Sequence, residues 1–122
     1  MSRDLNDLAP ELKEVAIEFR EQCAECGIDV LIYQTYRGEK EQNEAYSKGK
    51  SRLKYPNSKH NVMVDGKPAA RAFDAVPTKG NTLLWNDAAK YAKMGEIAEG
   101  LGLEWGGTWK SFIDKPHFQL PD

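Results

Sequence analysis

Histidine and cysteine are scarce in this chain, with two of each among 122 residues. The cysteines form Cys23-Ala24-Glu25-Cys26, a spacing that redox and metal sites use, but a zinc ribbon needs a second pair and none exists. A thioredoxin-like pair belongs at the start of a helix, where the dipole lowers a thiol pKa. This pair falls at the end of a helical pattern, just before Gly27, so reduced thiols in or near the core are expected. A basic excess is also missing: the formal charge is -2 and the pI near 5.7, which argues against a nucleic-acid partner. No apolar run approaches the length of a membrane span. Met1-Ser2-Arg3-Asp4 opens without the apolar stretch of a secretory signal, which predicts a protein held in the cytoplasm until something else releases it. No Ser/Gly/Pro-rich linker, internal repeat or low-complexity segment divides the chain. One domain over residues 1–122 is therefore expected, large enough for a core and without a separate binding module. A monomer is the default.

Leu12, Val15, Ala16, Phe19, Cys23 and Cys26 recur at three- and four-residue steps and predict a helix from Pro10 to Cys26, with Gly27 as its stop. Ile28 to Tyr36 is rich in β-branched and aromatic residues and reads as a strand that delivers Arg37 at its end. A second helix is expected over Glu39–Ser47 and a third over Asn86–Glu99. Val62 to Val76 reads as a hairpin about Asp65-Gly66, ended by Pro77 and Gly80. Short strands at Leu103–Trp105 and His117–Leu120 complete an α+β fold with a mostly antiparallel sheet.

Both histidines sit in short clusters of acid–base and metal-binding residue types. The first is Ser58-Lys59-His60, followed by Ala72-Phe73-Asp74; the second is Asp114-Lys115-Pro116-His117. Two imidazoles and a carboxylate are a ligand set for a catalytic zinc with one position open, and a carboxylate beside a ligand histidine can serve as general base. Asp65 and Asp74 compete for the carboxylate position. Turn chemistry already explains Asp65 before Gly66. Asp74 lies in an apolar strand between Phe73 and Ala75, where an unpaired carboxylate would be costly, and it is the expected ligand. Lys115-Pro116 breaks any regular ladder, so the backbone can turn Asp114 and His117 toward one point. Lys48, Lys50, Arg52, Lys54 and Lys59 follow one another with no acid between them and lead into His60. They form either a solvated loop or a positive rim that steers an anionic polymer.

These segments, with Thr35-Tyr36-Arg37, Gln42 and Trp105-Gly106-Gly107-Thr108-Trp109, resemble the zinc peptidases that cut the stem peptides of bacterial peptidoglycan. The small phage endolysins with L-alanyl-D-glutamate peptidase activity are the most similar branch. The resemblance runs from about residue 30 to the C-terminus. It implies Zn2+ held by His60, Asp74 and His117, Asp114 as general base and Arg37 stabilising the oxyanion or holding a substrate carboxylate. It further implies Gln42 against the peptide backbone, Ser58 orienting His60, and Trp109 with Trp105 and Phe118 as core and cleft wall. In the family the aspartate usually follows the first histidine by seven positions, whereas Asp74 follows His60 by fourteen; the Val62–Ala69 hairpin accounts for the extra length. The implied protein is an endolysin that waits in the host bacterial cytoplasm and reaches the wall through a membrane pore. D-Ala-D-Ala carboxypeptidase or dipeptidase activity, and a non-catalytic zinc module that binds wall peptides, remain the alternatives.

Overall fold

Leu12, Ala16, Phe19 and Cys23 form the buried stripe of helix α1 (Pro10–Glu25) in the computed structural model, which describes residues 1–122. Pro10 occupies the first turn, where its missing N–H costs nothing. Gly27 ends the helix in the left-handed region with φ 81°. Cys23 is buried and its thiol is pushed up to about 12 by that burial and, less, by Cys26. Cys26 caps the helix and is exposed, so the expected core placement holds for Cys23 alone; both thiols are free.

Strand β1 (Asp29–Gln34) and helix α2 (Glu39–Ser47) follow. Then come the two-residue strands β2 (Met63–Val64) and β3 (Lys67–Pro68), the long strand β4 (Ala72–Lys79) and the short β5 (Thr82–Leu83). Helix α3 (Ala88–Gly100) starts at Asp87, whose carboxylate accepts from the Lys90 N–H at 3.1 Å. Strands β6 (Glu104–Trp105) and β7 (His117–Gln119) end the chain. The main sheet runs β1-β4-β7-β6, with β5 added to β4, and every pairing is antiparallel. Helices α1 and α3 pack on each other and on this sheet. Phe19, Phe73 and Phe118 meet in the core at centroid distances of 4.9–5.7 Å. The fold is α+β, as the pattern of elements predicts.

The expected hairpin is shorter than the sequence suggests. Only β2 and β3 form it, about Asp65 (φ 52°) and Gly66 (φ 76°), the two positive φ values a tight hairpin turn demands. Ala72 onward belongs instead to β4, which continues through Pro77 rather than ending there. Ala75 donates its N–H to the Pro116 carbonyl on the β7 side, and two residues on Pro77 accepts from Leu84 on that same side. A residue that accepts there without donating can be proline.

A bulge decides which face of the sheet becomes functional. The register of β1 on β4 slips between Ile32 and Gln34, so that Gln34 stands opposite Asp74. One extra residue turns a side chain to the other face. Asp74 in turn pairs with His117 across β7, and Glu104 pairs with Gln119 across β6. The face opposite the phenylalanine cluster thus carries the polar row Gln34, Asp74, His117, Gln119 and Glu104.

Candidate active site

Three elements converge on Asp74. His60 comes from a single 3-10 turn, Lys59–Asn61, that Ser58 caps: its Oγ accepts from the His60 N–H at 3.2 Å while its own N–H donates to Asn61 Oδ1 at 3.0 Å. Asp74 and His117 are delivered by β4 and β7 as a cross-strand pair. The inserted hairpin leaves this undisturbed, because Ala69 donates to the Val62 carbonyl at 2.9 Å and closes the base of the excursion. Asp65 sits at its far tip, outside the cluster.

The ligating atoms of His60, Asp74 and His117 lie within 4.8 Å of one another. Hydrogen bonding fixes which nitrogen of each ring faces inward. His60 Nδ1 lies 2.8 Å from the Thr35 carbonyl and His117 Nε2 lies 2.7 Å from Gln119 Oε1. A carbonyl oxygen only accepts, so each of these nitrogens carries the hydrogen. His60 Nε2 and His117 Nδ1 then point lone pairs at Asp74 Oδ1, at 3.3 and 3.4 Å. His60 Nε2 and Asp74 Oδ1 are buried without a hydrogen-bond partner. Three converging lone pairs repel unless a cation lies among them, so the donor set fits a metal ion on its own chemistry. Burial alone would raise the Asp74 carboxyl, but the imidazoles of His60 and His117 hold it well below the ordinary carboxylate range. His117 moves the other way: burial opposes its charge, yet Asp74, Gln119 and Asp114 together raise it above 6.5.

Asp114 stands on the turn into β7, where His117 N–H donates back to the Asp114 carbonyl at 3.2 Å. Both residues line the same cleft, as Lys115-Pro116 leads one to expect. Burial and then the charge of Asp74 raise the Asp114 carboxyl, against the pull of His117, His60 and Arg37. Trp105 anchors this turn by donating from Nε1 to the Lys115 carbonyl at 2.7 Å. Its indole lies against Gly95 of α3 and Gly107, where a Cβ would stand 2.2 and 2.1 Å from the ring. Gly106 is needed for another close approach: a Cβ there would meet the Asp114 carbonyl oxygen at 2.3 Å. Trp109 packs on His117 with centroids 5.2 Å apart, forming cleft wall, while Phe118 belongs wholly to the core.

Arg37 has a partner that sequence spacing could not supply. Its Nη2 lies 3.3 Å from Asp74 Oδ2, and its other N–H groups reach Gln34 Oε1 and Gln42 Oε1 at 2.9–3.1 Å. Gln42 is fully buried beneath the cleft, not on its surface. Its amide donates to Ser51 Oγ and the Leu53 carbonyl and accepts from Arg37 and Asn61, so it fastens Arg37 and the loop after α2. The cleft, about 1020 Å³, has Lys48, Lys50, Arg52 and Lys59 on its walls together with Glu41 and Glu44. Lys54 instead lies over the Tyr46 ring at 4.9 Å. Four of the five basic residues thus line the cleft, and acids interrupt them in space.

Sequence reading missed Gln34, Asn61, Glu104 and Gln119, whose roles depend on strand pairing and on the fold. It also missed Tyr91 of α3, which is 1% exposed with a hydroxyl that has no partner. Burial first, then the charges of Asp74 and Asp114, push that hydroxyl up to about 12.

Residues 53–120 match the family described as D-alanyl-D-alanine carboxypeptidase. The chain is 32% identical over 131 residues to the peptidoglycan L-alanyl-D-glutamate endopeptidase CwlK of Bacillus subtilis, across 94% of this chain and 74% of that protein. It is 35% identical over 119 residues to the L-alanyl-D-glutamate peptidase of a Listeria phage, across 96% of this chain but 39% of the relative's length. Among solved structures, the L-Ala D-Glu endopeptidase ChiX of Serratia marcescens aligns with a TM-score of 0.75 at 25% identity, covering 96% of this chain and 83% of that one.

Proposed function

Because the chain belongs to the D-alanyl-D-alanine carboxypeptidase family of metallopeptidases, we propose that it is a zinc peptidase of peptidoglycan stem peptides that cuts between L-alanine and D-glutamate. One observation carries the reading: His60, Asp74 and His117 aim three lone-pair atoms at a single point, two of them buried and unpartnered, with Asp114 on the same cleft wall. The names of both curated relatives and of the structural neighbour support the L-alanyl-D-glutamate bond over a terminal D-Ala-D-Ala. No helix is long and apolar enough to cross a membrane. The 122 residues act as one catalytic unit and a monomer, an endolysin that reaches the wall through a pore made by another protein.

His60, Asp74 and His117 would hold the zinc, which when bound would supply Lewis acidity and acidify water at neutral pH. Asp114 is the general base, and its raised pKa keeps it basic enough to take a proton from the attacking water. The water oxygen bonds to the scissile carbonyl carbon as that proton moves to Asp114. The same proton then passes to the departing amide nitrogen as the C–N bond breaks, and the second water proton, left on the new carboxyl group, moves to the released amine, so that the products are a carboxylate and an ammonium group. Arg37, locked by Gln34, Gln42 and Asp74, presents a fixed positive charge to the oxygen on which negative charge develops. Trp109 covers one side of His117 and limits access of bulk water.

Digestion of purified peptidoglycan with and without a zinc chelator tests this. Stem peptides with a new D-glutamate amino terminus, formed only with zinc, are expected. Released D-alanine or its dipeptide would replace the assigned bond with the carboxypeptidase alternative. Tight zinc binding with no fragments from any wall type would favour a binding module.

A further inference from the structure

Gln119 and Glu104 lie outside the ligand set but are hydrogen-bonded in series to one ligand, His117. Gln119 stands on β7 two residues after His117, on the same face, and Glu104 faces it from the edge strand β6. Gln119 Nε2 donates to Glu104 Oε1 at 2.7 Å, and Gln119 Oε1 lies 2.7 Å from His117 Nε2. A carboxylate only accepts, so Glu104 must receive the NH2 end of the amide. The amide oxygen is thereby committed to His117, and since it too only accepts, His117 Nε2 must carry the ring hydrogen. The lone pair is left on Nδ1, the nitrogen 3.4 Å from Asp74 Oδ1. Were the amide reversed, its NH2 group would face Nε2, the hydrogen would move to Nδ1, and the ligating lone pair would be lost.

We infer that Glu104 and Gln119 are positioning residues for the metal: exposed Glu104 orients the Gln119 amide, and the amide fixes the His117 tautomer that leaves Nδ1 free to ligate. The inference rests on the zinc assignment above. The relay also works on basicity, since a carboxylate drawing on the amide N–H strengthens the amide oxygen as an acceptor, and that polarises the imidazole toward its inner nitrogen. His60 uses a backbone carbonyl, that of Thr35, for the same purpose. A main-chain oxygen cannot flip, whereas a glutamine amide can, and so the His117 side alone needs a second residue to set its direction.

The test measures zinc affinity by competition with a chromogenic chelator, beside the 15N NMR signature of the His117 ring in the metal-free protein at alkaline pH. In the wild type the hydrogen should reside on Nε2. Gln119→Leu, which removes the acceptor, should weaken zinc binding by about 10–100-fold and populate the other tautomer. Glu104→Ala, at an exposed site that does not threaten folding, should shift both readouts the same way by less. Glu104→Gln, which can still accept through its own amide oxygen, should recover most of the affinity. Unchanged affinity and an unchanged tautomer in Gln119→Leu, or in Glu104→Ala should the first variant not fold, would overturn the relay while leaving the zinc site intact. A wild-type chain that binds no zinc would overturn the zinc assignment itself and the relay with it.

Discussion

Asp74 and His117 face each other across β4 and β7, with the imidazole Nδ1 3.4 Å from the carboxylate Oδ1. This pair is fixed by sheet register rather than by a loop. Four consequences can be measured.

Asp114 lies near the ligands without belonging to their set. Asp114→Asn keeps the shape of the side chain and removes the basic oxygen. Zinc content should remain at the wild-type level while kcat falls by about 10²–10⁴-fold, the usual worth of a general base. Metal analysis and turnover on one protein sample check both halves; full activity in this variant would remove Asp114 from the mechanism.

Gly95 gives room for the Trp105 indole, which in turn holds the Lys115 carbonyl. Gly95→Ala places a methyl group 2.2 Å from a rigid ring atom. Helix propensity favours alanine, but overpacking in this setting costs about 1–3 kcal/mol. Urea denaturation should show net destabilisation, and kcat should fall as the Asp114 turn loosens. A variant more stable than the wild type would show that Trp105 can move aside without cost.

Acid–base linkage gives the metal-free protein a pH dependence of known sign. The folded-state pKa of His117 lies above its ordinary 6.5, so its stabilising contribution is complete below about 6.5 and is lost as pH rises through the folded value. Asp74 lies below its ordinary 3.8, so its contribution is complete above that and lost as pH falls through the folded value. Raised Asp114 acts in the same sense as His117, favouring the folded state less as pH climbs above its ordinary 3.8. Chelator-treated protein should therefore be less stable in urea at about pH 8.5 than at about pH 6, and Asp74→Asn should flatten the difference. Zinc binding should strengthen over the same range, since protons then cease to compete for the ligands. Greater metal-free stability at the higher pH would contradict the assigned charges.

Local pattern was enough to find much of this molecule. The apolar spacing of Leu12, Ala16, Phe19 and Cys23 predicts α1, and the helix expected over Glu39–Ser47 matches the observed bounds of α2. Turn chemistry at Asp65-Gly66 set that aspartate aside and left Asp74, which the fold brings beside both histidines. Long-range pairing was not readable. A bulge in β1 places Gln34 beside Asp74, Glu104 meets Gln119 only through strand register, and Pro77 passes through a strand because its neighbours there ask it only to accept. Gln42 shows the same limit, for nothing near it in sequence announces full burial under Arg37. A signal did exist for Gln119: it is two residues beyond a ligand histidine on a strand, hence on the same face.

The most direct measurement is a zinc titration of chelator-stripped protein with stem-peptide cleavage as the readout. Activity should start near zero, rise in proportion to added zinc, and level off at one equivalent per chain, while His60→Ala and His117→Ala stay inactive throughout. Cleavage by the stripped wild type, or undiminished cleavage by either histidine variant, would contradict a single catalytic zinc held by His60, Asp74 and His117.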